Sequence, residues 1–203
     1  MRKLILAVLL LGTSCLAMGE ENSGAREPVI KLDNALISAM KNAKSLGYEG
    51  RQKALSPVVL ETHDFEAISK LAIGMTRWKA LSDPEKAELV KKLTEYSIAT
   101  YAAQFDSYAG EEFKFDSEEA KGKFVTVRYN LTAPGEPVHK FEYVMNKAGD
   151  QWRIINIVVD GISDLATKRA QYEHIIEAEG FGKLLEKLSE KIADYAKSRA
   201  HPS

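Results

Sequence analysis

The sequence predicts an α+β domain in which helices pack over a curved antiparallel sheet of about four strands. Three observations carry that expectation. Apolar residues recur at three- and four-residue spacing up to about residue 105, alternate at two-residue spacing between about 111 and 160, and return to helical spacing after 163. Only a few turn residues separate successive strands, a distance that joins neighbours antiparallel. The chain has 203 residues, 45 % hydrophobic and 28 % charged, enough for one domain with its own core. The order helices, strands, helices then places helices over one sheet.

Residues 1–19 read as an address. Arg2 and Lys3 precede an apolar run, Leu4 to Leu11, that is shorter than the roughly 20 residues needed to span a bilayer. Ala17 and Gly19 are the small residues of a signal-peptidase site, with cleavage expected between Gly19 and Glu20. A lipoprotein signal around Cys15, with Gly12 where a leucine is usual, is the rival reading. Cleavage removes the only cysteine and leaves 26 basic residues against 29 acidic, a net −3 in place of −1. An exported chain without disulfides fits a bacterial periplasm. The near-neutral charge lacks the basic excess of a nucleic-acid binder.

Residues 20–28 form a polar leader, 29–196 a single domain, and 197–203 a polar tail. The first helix is expected over 31–46, with Leu32, Leu36, Met40 and Ala43 on one stripe and Gly47 as its stop. A second, over 51–62, carries Leu55, Val58 and Val59 and contains Pro57. Asp64 caps a third stripe of Phe65, Ile68, Leu71, Ala72 and Met75. Ser82-Asp83-Pro84-Glu85 is a capping box that opens a helix reaching Phe105.

Four strands follow, over 111–118, 124–131, 138–145 and 152–160. Val125, Val127, Tyr129 and Leu131 share one face of the second; His139, Phe141, Tyr143 and Met145 share one face of the third. The last strand is apolar on both faces, as a central strand covered on both sides would be. Two helices close the chain, one from about Ser163 to Glu177 and one from near Gly180.

Catalytic groupings are sparse. The four histidines are scattered without metal-ligand spacing, and no nucleophile elbow, phosphate loop or dinucleotide fingerprint is present. His63 reads as a partly exposed residue beside the cap Asp64, and His139 as an edge-of-core residue or, less simply, a base in a cavity. The pairs Glu111/Glu112 and Glu118/Glu119 and the charges of residues 183–197 read as solvated faces.

An ordered set of short matches spans the mature chain. It runs Gly50-Arg51, Leu55-Ser56-Pro57-Val58, Asp64-Phe65, Gly74, Trp78, Tyr101, Phe105 and Tyr108. It continues Gly149-Asp150-Gln151-Trp152-Arg153-Ile154, Asp160-Gly161-Ile162-Ser163, Arg169, Tyr172, Gly180 and Leu184-Leu185. In these the chain resembles the periplasmic lipid-shuttle family typified by MlaC, also called the toluene-tolerance family. The run Asp164-Leu165-Ala166, with Lys168-Arg169-Ala170 and Gly180-Phe181-Gly182-Lys183, is similar to its hopanoid-biosynthesis-associated HpnM branch.

The resemblance implies a cone-shaped α+β fold, akin to the nuclear-transport-factor cone, whose apolar cavity holds lipid tails. It also implies a monomeric, non-enzymatic carrier of phospholipid or hopanoid between the inner and outer membranes, served by a transport complex at each. No cofactor is expected beyond lipid as cargo. The expected lining is Phe141, Tyr143, Met145, Val127 and Tyr129 on the sheet, under Val58, Phe65, Ile68, Leu71 and Tyr101. Ile155, Ile157 and Val159 line the same face or the opposite one, which parity alone leaves open. Arg169 is expected to pair with an acid of the sheet or a helix rather than with a headgroup. Two rivals are a cone-fold enzyme using His139 or Asp160 and a partner-binding protein anchored through Cys15.

Overall fold

The computed structural model describes residues 24–200, with side chains to Lys197. The expected signal peptide, its cleavage site, Cys15 and most of the leader lie outside the described residues. Helix α1 spans Arg26–Lys41, so it begins inside the stretch read as leader, and Ala25 before it is fully buried. It also ends earlier than expected. The Asn42 side-chain amide donates to the Ser38 carbonyl at 2.9 Å and closes the helix there. Helix α2, Ala43–Thr62, is two helical runs joined across a kink at Gly47, whose φ of 60° breaks the helix at the stop the sequence predicts.

Asp64 caps α3 (Phe65–Ile73) by accepting the Ala67 N–H at 2.9 Å. Gly74 separates it from α4, Met75–Ala80. The capping box opens α5 (Asp83–Gln104), with the Ser82 N–H and hydroxyl donating to Glu85 Oε2 at 2.8 and 2.6 Å. Beyond the sheet, Ser163 caps α6, Asp164–Glu179. Helix α7 spans Phe181–Ala200 and so continues into the segment read as a polar tail.

Strands β1 (Glu112–Lys121), β2 (Phe124–Thr132), β3 (His139–Ala148), β4 (Gln151–Val159) and β5 (Ile162–Ser163) form one curved, open antiparallel sheet in chain order. The fifth strand is the addition to the expected four. Asp160 at φ 51° and Gly161 at φ 82° make a two-residue turn with positive φ at both positions, which folds β5 back onto Val158–Val159.

The expectation that β4 is a central strand needs correction: only two residues of β5 pair with its outer side. Its apolar character has other causes. A bulge at Ile155 leaves Ile154 and Ile155 both buried, and the end of α2 covers the open edge through a parallel bridge from His63 to Ile154.

Two larger apolar clusters hold the elements together, beside a small third one of Tyr48, Ala102 and Ala103. One joins α1–α3 to the sheet through Leu32, Leu36, Leu55, Val127, Tyr143 and Ile154. The other joins α3–α7 through Ile73, Trp78, Leu89, Leu93, Tyr172, Leu184 and Leu188. On the opposite, polar face of the sheet, Arg128 of β2 binds Glu142 directly across on β3 at 3.0 Å and Glu119 on β1 at 2.9 Å.

Candidate functional site: an open cavity between the sheet and α5–α6

A cavity of about 540 Å³ opens between the two clusters. Its apolar wall comes from Leu32 and Leu36 of α1, Ile68 of α3, Phe105 after α5, Phe141 and Tyr143 of β3, Ile154, Ile155, Ile157 and Val159 of β4, and Leu165 of α6. The sequence builds this wall in two ways. Alternate residues of β3 turn inward, the bulge in β4 brings Ile154 and Ile155 as well as Ile157 and Val159 to the same side, and α5 presents Ser97, Thr100, Tyr101 and Gln104 at helical spacing along one face. The pairing register brings Tyr143 opposite Ile157 and Phe141 opposite Val159, so these two strand sets share one face.

Of the residues expected to line it, Ile68, Tyr101, Phe141, Tyr143, Ile155, Ile157 and Val159 do so. Phe65, Val127, Tyr129 and Met145 do not. They are buried in the α1–α3/sheet core, where neighbouring side chains fill the space against that part of the sheet. Val58 is half-buried on α2 away from the cavity, and Leu71 faces outward on α3, 37 % exposed.

His63 differs from its expectation. It is 6 % exposed and lines the cavity, because the bridge to β4 draws the end of α2 beneath the sheet edge. Its ring stacks on Phe65 with centroids 5.5 Å apart, and Nε2 lies 3.0 Å from the Tyr101 hydroxyl. Burial pushes its imidazole down to about 3, so the ring is neutral.

Behind the wall, the Tyr143 hydroxyl donates to Asp33 Oδ1 at 2.7 Å, and burial pushes the Asp33 carboxyl up to about 7. Asp33 was invisible as a core residue in sequence because it stands among the polar positions of α1. A weak signal was its place one residue from Leu32 and three from Leu36, at the border of the apolar stripe.

His139 does not line the cavity. It is half exposed and binds Asp160 at 2.7 Å, and that bond and the Lys140 N–H hold the Asp160 carboxyl below its ordinary range. Arg169 pairs with Glu173 at 3.0 Å, one turn along α6. Among the described residues no group of three histidine, cysteine or acidic side chains could hold a metal, and no helix is long and apolar enough to cross a membrane.

The fold and this site define an α+β cone with one large apolar cavity open at one side. Residues 31–190 match the family described as "MlaC protein". The chain belongs to the MlaC family. It is 24 % identical over 135 residues to the toluene tolerance protein ttg2D of Pseudomonas putida; the match covers 66 % of this chain and 60 % of that one. It also shares its fold with a phospholipid-binding protein from Ralstonia solanacearum, solved in complex with a phospholipid. That likeness has a TM-score of 0.74 at 18 % identity and covers 85 % of this chain and 98 % of the other.

Proposed function

We propose that the protein is a carrier that encloses the apolar tails of a lipid in the cavity between the sheet and α5–α6. It acts in the periplasm after its N-terminal segment is cleaved near Gly19 and moves phospholipid or hopanoid between the inner and outer membranes as a monomer. The observation that carries this reading is the cavity. Its volume falls within the usual range for small-molecule sites, and its wall is built by residues of four helices, α1, α3, α5 and α6, and of the sheet. Membership of the MlaC family and the phospholipid in the Ralstonia solanacearum protein support lipid as the occupant.

The physics of such a carrier sets what else it needs. Each buried methylene contributes roughly 0.8 kcal/mol, so a tail crosses water slowly unless covered. The same contribution slows its release, and a docking complex at each membrane must offer an equally apolar destination. A mature charge of −3 is compatible with brief visits to anionic membranes. No chemistry is assigned to the cavity, where a neutral His63 imidazole meets the Tyr101 hydroxyl and Lys168 is paired with Asp164.

The test is solvent extraction and mass spectrometry of protein purified from its native periplasm. Stoichiometric diacyl or polycyclic lipid supports the carrier, and which of the two is found decides between phospholipid and hopanoid. Protein that neither yields lipid nor takes up any from vesicles would sink it.

A further inference from the structure

The cavity's hydroxyl groups are arranged so that most can accept a hydrogen bond from cargo but not donate one. The Thr62 hydroxyl donates to the Val58 carbonyl at 2.8 Å, which uses its single hydrogen. His63 Nδ1 lies 3.0 Å from that hydroxyl oxygen and 3.1 Å from the Val59 carbonyl. Both are left with acceptor capacity alone, so Nδ1 carries the imidazole hydrogen and Nε2 is an acceptor. The Tyr101 hydroxyl, 3.0 Å from Nε2, therefore donates to it. Among the described residues no donor reaches the remaining lone pair of Tyr101 Oη.

Three more hydroxyls of the wall follow the same pattern. Tyr143 donates to Asp33 at 2.7 Å, Thr100 to the Tyr96 carbonyl at 2.8 Å, and Thr167 to the Ser163 carbonyl at 2.9 Å. Ser97 is the wall hydroxyl whose hydrogen has no partner among the described residues.

We infer that the cavity selects a lipid carrying a hydroxyl group in the portion it encloses, and that Tyr101, oriented by His63, is the specificity-determining acceptor. This rests on the carrier reading and narrows its substrate class. An ether or ester in the same place must either face the Tyr101 lone pair with its own or take the hydrogen from His63. The second course leaves Nε2 buried and unpaired. Each arrangement weakens binding by roughly tenfold or more.

The experiment is displacement of a pyrene-labelled fatty acid from the delipidated protein by stearyl alcohol, its methyl ether and octadecane. Stearyl alcohol is expected to displace the label about tenfold better than the ether. Replacing Tyr101 and His63 together by phenylalanine, which removes both the hydroxyl and the imidazole acceptor behind it, should bring the two within about twofold, while Leu71→Ala, outside the cavity, leaves the ratio as it was. His63→Phe, which releases the Tyr101 hydrogen, should improve the ether selectively. Equal displacement by alcohol and ether in the unaltered protein overturns the inference, as does a preference that survives replacement of both Tyr101 and His63 by phenylalanine. The first comparison requires no variant and stands even if the substitutions fail to fold. Protein that binds neither the label nor any of the three overturns the carrier reading itself, which is a separate result.

Discussion

Asp33 and His63 are both buried, and their titrations are displaced in opposite directions, which gives one prediction a sharp form. In the unfolded chain they titrate near 3.8 and 6.5; in the fold they titrate at about 7 and about 3. A raised Asp33 contributes stability that is present below 3.8 and lost as pH rises through about 7. A lowered His63 contributes stability that is present above 6.5 and lost as pH falls toward 3. Between pH 3.8 and 6.5 the folded protein holds one proton on Asp33 and the unfolded chain holds one on His63. The counts match, so the pair adds almost no pH slope there.

Asp33→Asn removes the folded-state proton and uncovers His63. Stability of that variant, relative to the unaltered protein, should fall on acidification by up to about 1.4 kcal/mol per pH unit. From pH 6.5 to 4.5 that amounts to about 2–3 kcal/mol. The Tyr143 hydroxyl keeps an acceptor in the asparagine carbonyl, so the fold should tolerate the change. Urea denaturation of both proteins at the two pH values and fixed ionic strength reads the difference. Parallel pH profiles would refute the opposed titrations. His63→Phe gives the mirror image, a fold that loses stability as pH rises from 4 through 7.

Leu184→Ala, in the fully buried centre of the α3–α7 cluster, should cost about 2–5 kcal/mol and lower the urea midpoint without changing the slope. Gly161→Val places a β-branched residue at φ 82° and should cost about 1–3 kcal/mol through strain alone, since its Cβ meets open space; thermal unfolding checks this. Ile157→Trp should reduce the lipid recovered per mole of protein, whereas Leu71→Ala, outside the cavity, should leave it unchanged; quantitative lipid mass spectrometry separates them. Glu85→Ala opens the capping box and should lower the urea midpoint.

Local chemistry made much of the fold readable. Asp64, Ser82 with Glu85, and Ser163 each begin a helix where their side chains and spacing predict one, and the two-residue alternation of β2 and β3 fixes their inward faces. What stayed hidden depends on contacts between distant segments. Nothing near His63 announces that Ile154 will pair with it and bury it. The inserted residue in β4 is equally silent, since Trp152 to Val159 is apolar in either parity and only pairing with β3 reveals that Ile155 is extra. The cavity residues on β3 and β4 were legible as an apolar face. Which part of that face is empty was not, because Met145 and Phe141 obey the same alternation while α1 fills the space over one end of it. Asp33 escaped notice because its partner, Tyr143, is 110 positions away.

The start of α6 is tied to the sheet by the backbone pairing of β5 and by one side chain of β4. The Asn156 amide meets the Ser163 hydroxyl at 3.0 Å, and its oxygen accepts the Leu165 N–H at 3.1 Å. Leu165, Thr167 and Lys168 of that helix form one wall of the cavity, and β4 forms the wall facing it. The gap between them is therefore gauged by a two-residue ladder and the length of one amide rather than by interlocking apolar surfaces. A packed seam changes width only when several residues change together, whereas a side-chain strut can be shortened or lengthened by one substitution. Within this fold, position 156 is where a side chain, added to the short β5 ladder, sets how far the start of α6 stands from β4.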